Sequence, residues 1–440
     1  MAPEFQLAAM GFAGLLLLIV LRAPIALAML LAGAAGYVHI LDAAALLNYL
    51  KTTPYHLFAS YTLSVIPLFI LMGALAERGG LARDLFAAAN ALLGRRPGGL
   101  AMSVIGASAA FGAVCGSSVA TTATFGRAAL PELLRYGYAP GFATGTIAVG
   151  GTLGILIPPS VILVVYGIST EQNVAKLFMA ALVPGLLATA FYLVAIALWM
   201  RRRPELGPPA PPPAPGERRR AFRNVIPVLG IAVLVIGGIY GGVFTPTESA
   251  GVGCIGVLAI GLARRSLDLR EIRTALLATA ETTAMIYAIL LGAEVFNAFL
   301  ALSQAPDLLA QWVTEQDFSP LGVLAALLLT YLVLGAVMDE LAMILLTLPV
   351  FFPVVTALDF GLTGEETAIW FGILVLITVG IGLTAPPIGL NVFVISAIAR
   401  QVPIAQTYRG VLPFLATDLL RLGLCVAFPG LSLWLVRLLT

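Results

Sequence analysis

Eight stretches of this chain, 6–21, 24–41, 61–76, 178–200, 225–242, 275–301, 321–338 and 410–437, are apolar. Each is long enough to cross or nearly cross a bilayer, which takes a helix of ~20 apolar residues. No other feature restricts the fold as much. Backbone inside hydrocarbon must satisfy its own N–H and C=O groups, which leaves helices or a closed barrel. The runs are long and lack the period-two alternation of barrel strands, so the expected fold is an all-α integral membrane protein. Composition agrees, with 60% of residues hydrophobic and only 10% charged, against about 25% charged in soluble domains. The first 20 residues carry no Lys or Arg and hydrophobicity resumes after Pro24. They read as a first membrane helix, not a cleaved leader. Cys115, Cys254 and Cys425 stand alone in apolar surroundings, which points to packing and not to a disulfide or metal site.

The remaining charges are unevenly placed. Seven arginines fall at 201–223 (Arg201, Arg202, Arg203, Arg218, Arg219, Arg220, Arg223) and four at 264–273 (Arg264, Arg265, Arg270, Arg273). The positive-inside rule places both loops in the cytoplasm. The apolar runs 224–242 and 249–263 lie between them, two passes that return the chain to the same side. Within the first loop, "PELGPPAPPPAPGE" at 204–217 is a stiff proline-rich spacer with no core of its own.

Landmarks on either side of that spacer repeat. Gly112-Ala113-Val114 matches Gly335-Ala336-Val337 at an offset of 223, Pro131 matches Pro353 at 222, and Gly137 matches Gly361 at 224. Pro158-Pro159 matches Pro386-Pro387 at 228. The chain therefore divides into a first repeat (1–200), an Arg/Pro-rich linker (201–223) and a second repeat (224–440). Each repeat holds two unusual elements. One is a pair of short apolar arms around a polar tip, "CGSS" (115–118) in a hairpin at about 100–134 and "MDE" (338–340) in a hairpin at about 322–358. These read as re-entrant hairpins. The other is a helix interrupted by Gly and Pro-Pro, at about 142–168 and about 366–398. Proline deletes backbone donors, and the carbonyls it frees cannot face lipid. They must line an enclosed or watery cavity, where carbonyl and hydroxyl oxygens together suit a hard cation. Broken helices at corresponding positions of two halves point to the site of a secondary transporter. Helix N-termini favour anions and C-termini favour cations, so such a pair can hold Na⁺ and a carboxylated solute together.

Over nearly its full length the chain resembles the large membrane subunit of tripartite ATP-independent periplasmic (TRAP) transporters. The likeness is carried by "IPLFILMGALAERGGLARDLF" (66–86), "PGGLAMSVIGASAAFGAVCGSSVATTATFGRAALPELLRYGY" (97–138) and "ATGTIAVGGTLGILIPPSVILVVYG" (143–167), and continues in "GVFTPTESAGVG" (242–253), "MDELAMILLTLPVFFPVV" (338–355) and "TAPPIGLNVFV" (384–394). The resemblance implies two inverted repeats and an elevator mechanism in the bacterial inner membrane. Na⁺ is the implied coupling ion, with no organic cofactor. The implied cargo is a small organic acid such as a dicarboxylate, sugar acid or sialic acid. Two partners are implied as well: a small four-helix membrane subunit, and a periplasmic binding protein that delivers the acid. Carried onto this sequence, one Na⁺ site falls at Ser117, Ser118, Gly151, Thr152 and Pro158, and a second at Met338, Asp339, Gly382, Thr384 and Pro386. Substrate falls near Ser117, Ser118, Thr121, Asp339 and Asn391. Most ligands are expected to be backbone carbonyls. A carboxylate at an acid-binding site would repel the acid, so Asp339 is expected to orient its hairpin or support Na⁺.

Other classes fit less well. The chain lacks the GxxxxGK[ST] loop of an ATP-driven pump and the GxSxG elbow of a serine hydrolase. His39 and His56 lie outside the repeated elements and Asp339 has no counterpart in the first repeat, so an intramembrane protease is the less fitting alternative; no nucleic-acid partner is expected. A stand-alone Na⁺/carboxylate symporter with similar hairpins is the nearest alternative. Among other intramembrane carboxylates, Glu248 is expected to cap a helix, whereas Glu281 and Glu294 have no partner identifiable from the sequence.

Overall fold

The computed structural model describes residues 3–211, 216–316 and 318–439, and every regular element in them is a helix. Residues 212–215 of the proline-rich spacer lie outside the described residues. The chain opens with α1 (Pro3–Val20), α2 (Ile25–Ile40) and α3 (Ala43–Phe58). The Asp42 carboxylate starts α3 by accepting the Ala45 N–H at 2.6 Å. After a 3-10 turn come α4 (Val65–Arg78) and the short amphipathic α5 (Leu81–Leu93). The first hairpin is α6 (Gly99–Cys115) and α7 (Ser118–Ala128), followed by one short helix, α8 (Leu130–Arg135). At 17 and 11 residues, and a rise of about 1.5 Å each, neither arm spans a bilayer. Next are α9 (Pro140–Leu156) and α10 (Val161–Ser169), bent by 43° at their junction. Then come α11 (Val174–Arg202), α12 (Glu217–Tyr240), α13 (Pro246–Ala263), α14 (Leu269–Leu302) and α15 (Ala305–Glu315).

The second hairpin is α16 (Pro320–Gly335) with α17 (Glu340–Thr356). It leads into α18 (Gly364–Gly382), α19 (Leu390–Ile398), α20 (Ile404–Ala427) and α21 (Gly430–Leu439). Helices α11, α12, α13, α14, α18 and α20 are each long and apolar enough to cross a membrane, and the bent pairs α3/α4 and α9/α10 bring the number of spans to as many as eight. The apolar run 410–437 is not one helix. It parts at Phe428-Pro429, because Pro429 supplies no N–H and pushes Phe428 out of the helical region, to φ −128° and ψ 78°.

Caps set several helix starts. Glu248 accepts the Thr245 N–H at 2.8 Å while Thr245 Oγ1 accepts the Glu248 N–H at 3.2 Å, the reciprocal capping box that fixes the start of α13. Thr363 and Glu366 do the same for α18, which the sequence reading missed. Arg264, in the second Arg-rich loop, reaches the Asn224 carbonyl and the Asp84 carboxylate, so the two basic loops share one end of the molecule. The spacer is docked over its first part. Gly98 N–H donates to the Gly207 carbonyl (2.7 Å), Ala139 N–H to Leu206 (3.0 Å), and Ala210 N–H to Gly94 (2.8 Å).

The helices that precede the two breaks form the centre. Residues 142–156 of α9 and 367–382 of α18 are buried throughout. In the outer α11, α13 and α20 only 33% of the apolar window is buried, against 83% in α18. Polar and unwound backbone is thereby kept away from lipid. Close crossing depends on small residues. Gly141 and Gly145 of α9 lie against Gly410 of α20, where a Cβ on Gly145 would come 2.6 Å from the Gly410 carbonyl carbon. Thr144 and Thr407 then meet at 2.8 Å between hydroxyls. A Cβ on Gly410 would overlap the Gly141 carbonyl oxygen, whereas Gly423 of the same helix faces open space. Gly410→Ala should therefore lower the melting temperature of the detergent-purified protein, with an overpacking cost of about 1–3 kcal/mol. Gly423→Ala, which meets nothing and gains helix propensity, should leave it unchanged or raise it.

Candidate functional site

The first break is a local consequence of Pro158 and Pro159. The last α9 backbone bond runs from Ile157 N–H to the Leu153 carbonyl at 3.1 Å. The two prolines then offer no N–H to the carbonyls of Gly154 and Ile155, and no other hydrogen bond to either is seen among the described residues. Ser160, extended at φ −131°, restarts the chain into α10, and its buried hydroxyl has no partner.

The first hairpin tip lies directly on this break. Gly116 turns the chain with φ +66°, and a Cβ there would come 2.9 Å from the Pro159 carbonyl oxygen. Ser117 caps α7 through the Ala120 N–H (3.4 Å), while its own carbonyl accepts the Thr121 hydroxyl (2.7 Å). A Cβ on Gly154 would lie 2.6 Å from the Ser117 carbonyl oxygen, and one on Gly151 would lie 3.0 Å from that of Ser118 and overlap the Thr122 hydroxyl. Only the absence of those side chains lets tip and break face each other so closely. The Thr122 hydroxyl is itself buried without a partner. Backbone oxygens of Ser117, Ser118 and Pro159, the freed carbonyls of α9 and unpartnered hydroxyls thus gather in a water-excluding interior. That donor set fits a hard monovalent cation held by neutral oxygens. Among the described residues no group of three or more His, Cys, Asp or Glu side chains gathers to hold a metal.

The second break is built differently. Pro386 and Pro387 free the carbonyls of Gly382 and Leu383, but both are taken again, by Ala385 N–H at 3.2 Å and Asn391 N–H at 2.9 Å. The Tyr408 hydroxyl of α20 lies within hydrogen-bond reach of the Pro387 carbonyl (2.9 Å) and that of Ile388. Gly389, at φ +58°, donates its N–H to the Ala336 carbonyl in the second tip (3.3 Å). Gly382 packs on Gly335, where a Cβ would come 2.6 Å from the Gly335 carbonyl carbon. Asp339 caps α17, accepting the N–H groups of Leu341 (3.1 Å) and Ala342 (3.3 Å). Its neighbour Glu340 is buried with one carboxylate oxygen unpartnered. The buried Thr384 hydroxyl turns back to the Ile381 carbonyl at 3.1 Å. Both Pro-Pro bonds are cis.

One side chain joins the two halves. Asn391, at the start of α19, donates to Ser118 Oγ (2.7 Å) and to the Ala148 carbonyl (3.1 Å), and Ser118 Oγ donates back to Asn391 Oδ1 (3.0 Å). Both residues are wholly buried. The structure therefore brings together Ser117, Ser118, Thr121, Gly151 and Asn391 at the first tip. Met338, Asp339 and Gly382 gather at the second tip. The Thr152 hydroxyl instead turns towards Tyr192 (3.2 Å). Tyr192, Asp418 and Arg421, which form a buried polar chain with Thr152, escaped the sequence reading. The available signal was an Asp and an Arg three residues apart within an apolar run. Glu294, without a partner in the sequence reading, accepts from the Tyr49 hydroxyl at 3.3 Å.

Residues 12–431 match the family described as the tripartite ATP-independent periplasmic transporter, DctM component. The C4-dicarboxylate TRAP transporter large permease protein DctM of Pseudomonas aeruginosa is 38% identical over 374 residues, 85% of this chain and 86% of the relative. The isethionate TRAP transporter permease protein DctMQ of Oleidesulfovibrio alaskensis is 31% identical over 428 residues, 95% of this chain and 64% of the relative. The solved structure of the Alcanivorax borkumensis YdaH transporter, described as having an unusual topology, aligns over 90% of this chain and 91% of its own, with a TM-score of 0.63 at 20% identity. That likeness is one of fold alone.

Asn391→Ala would leave Ser118 Oγ and the Ala148 carbonyl without their partner, at a cost of about 1–3 kcal/mol, and should lower the melting temperature. Ser396→Ala on the same helix removes a buried hydroxyl that has no partner and should not.

Proposed function

The chain belongs to the DctM component family of tripartite ATP-independent periplasmic transporters, and from that premise we propose that it imports a small organic acid by Na⁺-coupled, elevator-type transport. It is a multi-pass inner-membrane permease subunit and not an enzyme. The observation that carries the proposal is the pairing of each broken helix with a hairpin tip at the buried centre, through Gly151 and Gly154 on the Ser117 and Ser118 carbonyls and through Gly382 on Gly335.

In this reading the first Na⁺ is held by carbonyl and hydroxyl oxygens around Ser117, Ser118, Gly151 and Pro158, with Thr152 contributing backbone and not its hydroxyl, which faces Tyr192. The second is held around Met338, Asp339, Gly382, Thr384 and Pro386. The acid sits between the tips near Ser117, Ser118, Thr121, Asp339 and Asn391, where the N-terminal ends of α7 and α17 favour an anion. Asp339 stabilises its hairpin as a cap, which keeps its carboxylate from opposing the substrate. The two inverted repeats each supply a hairpin and a broken helix to one moving unit. A small four-helix membrane subunit enlarges the static part. A periplasmic binding protein captures the acid and chooses which acid is carried. Relatives named for C4-dicarboxylate and for isethionate support a scaffold that serves different acids.

The test is uptake into proteoliposomes holding this chain and its small subunit. Uptake should require both an inward Na⁺ gradient and the loaded binding protein. Uptake without any binding protein would favour a stand-alone symporter, and uptake indifferent to Na⁺ would refute the coupling. Ser117→Ala and Asp339→Ala should each raise the Na⁺ concentration for half-maximal uptake several-fold, on the order of one lost capping hydrogen bond, while expression stays near wild type.

A further inference from the structure

Arg421 is among the largest fully buried side chains of the described residues, and no part of the transport reading uses it. It pairs with Asp418, three residues earlier on α20, at 2.8 Å between Nη2 and Oδ1, with both side chains at most 2% exposed. A sealed ion pair is a poor device for stability, since each ion loses several kcal/mol of hydration and an apolar pair of similar volume often does as well. This one is not even fully satisfied. Arg421 Nε and Nη1 and Asp418 Oδ1 make no hydrogen bond among the described residues, so the two groups meet as a close charge pair and not as an aligned hydrogen bond.

The pair does lead somewhere. Asp418 Oδ2 accepts the hydroxyl proton of Tyr192 on α11 at 2.7 Å. With that proton committed, the Tyr192 oxygen can only accept at Thr152, whose single hydroxyl proton is shared between the Val149 carbonyl at 2.7 Å and the Tyr192 oxygen at 3.2 Å. Thr152 belongs to the last turns of α9. At about 100° per residue, it lies on the face roughly opposite Gly154 and a quarter-turn from Gly151. Those two glycines meet the Ser117 and Ser118 carbonyls. The chain from Arg421 through Asp418 and Tyr192 therefore grips α9 from behind, just before the backbone unwinds. Thr152 also touches Gly380 of α18, at 3.8 Å from the position of a Cβ there.

We propose that Tyr192, Asp418 and Arg421 are positioning residues for the first cation site: they fix the rotation of the end of α9 so that its freed carbonyls face the first hairpin tip. This rests on the reading of that break as a cation site. None of the three touches the cation. Asp418 acts by accepting the Tyr192 hydrogen bond, and Arg421 acts by holding the Asp418 carboxyl in register.

Tyr192→Phe removes one hydroxyl and keeps the ring packed against Phe414, with ring centroids 5.6 Å apart. In the complete transporter in proteoliposomes, this variant should raise the Na⁺ concentration for half-maximal uptake about 5–10-fold, the scale of one buried hydrogen bond. The apparent affinity for the loaded binding protein should be unchanged. Asp418→Ala alone strands a buried charge, so the pair is removed together. Asp418→Leu combined with Arg421→Met and Tyr192→Phe, so that no freed hydroxyl is left to donate to Thr152, should keep the wild-type melting temperature or exceed it, yet show the same raised Na⁺ requirement. Wild-type Na⁺ dependence in both variants, measured where the parent is Na⁺-dependent, would overturn the proposal. If the parent proves indifferent to Na⁺, the transport reading itself fails and amide exchange decides the positioning role. Tyr192→Phe should speed exchange across 149–161, and unchanged exchange there would overturn it.

Discussion

A carbonyl released from a helix inside a membrane has nowhere to go but protein, and this requirement organises the molecule. Pro158-Pro159 and Pro386-Pro387 each release two carbonyls, and the chain responds by placing α9 and α18 at its buried centre. Less buried helices such as α11, α13 and α20 meet the lipid. Close approach follows from the same need. The hairpin tips can shield the breaks only where side chains are missing, which is why Gly151, Gly154 and Gly382 stand at the contacts. A single Cβ at any of them would push a tip away and open a polar backbone to hydrocarbon, at several kcal/mol for each unsatisfied group.

The two breaks solve the problem in unequal ways. At the second, Ala385, Asn391 and Gly389 donate backbone N–H groups and Tyr408 adds its hydroxyl, so the unwound segment is internally braced. At the first, the Gly154 and Ile155 carbonyls keep their lone pairs, and the hydroxyls of Ser160 and Thr122 stay unpartnered. Unpaired buried oxygens are costly unless something electropositive completes them. The first break is thus the one better prepared to gain from a cation, and the second is the one better able to keep its shape without one. Asn391 ties them together, since the residue that closes the second break also holds Ser118 at the first tip.

Features governed by local chemistry were legible in the sequence. The breaks, the hairpin tips at 115–118 and 338–340, and the Glu248 cap all follow from what Pro, Gly, Ser and Asp do to the backbone beside them. The apolar runs gave the helices, apart from 410–437, where the single Pro429 divided what hydropathy joined. Features governed by pairing across the chain were not legible. Nothing near Asn391 announces that it reaches Ser118, 273 residues away. Thr152 sits beside Gly151 in sequence, yet a 100° step along the helix turns its hydroxyl to Tyr192. The proline-rich spacer shows the same limit from the other side. Its composition describes a free linker, whereas Leu206, Gly207 and Ala210 each meet a partner on the membrane domain.

Neutral oxygens also have an electrostatic merit for an element that must move. In the proposed transport cycle a cation site built from carboxylates would carry its own negative charge across the bilayer whenever the ions had left, at a cost of several kcal/mol for each exposed charge. Carbonyl and hydroxyl ligands leave the empty element close to neutral. In that proposed cycle, the positive charge of Na⁺ in the filled element is offset by an anionic acid placed between the N-termini of α7 and α17. Two of the carboxyl groups near this centre are arranged to the same end. Asp339 is held against the N-terminal dipole of α17, and Asp418 is matched by Arg421 on its own helix. Ion and acid then each lower the cost of moving the other, which gives coupling a physical basis that needs no contact between them.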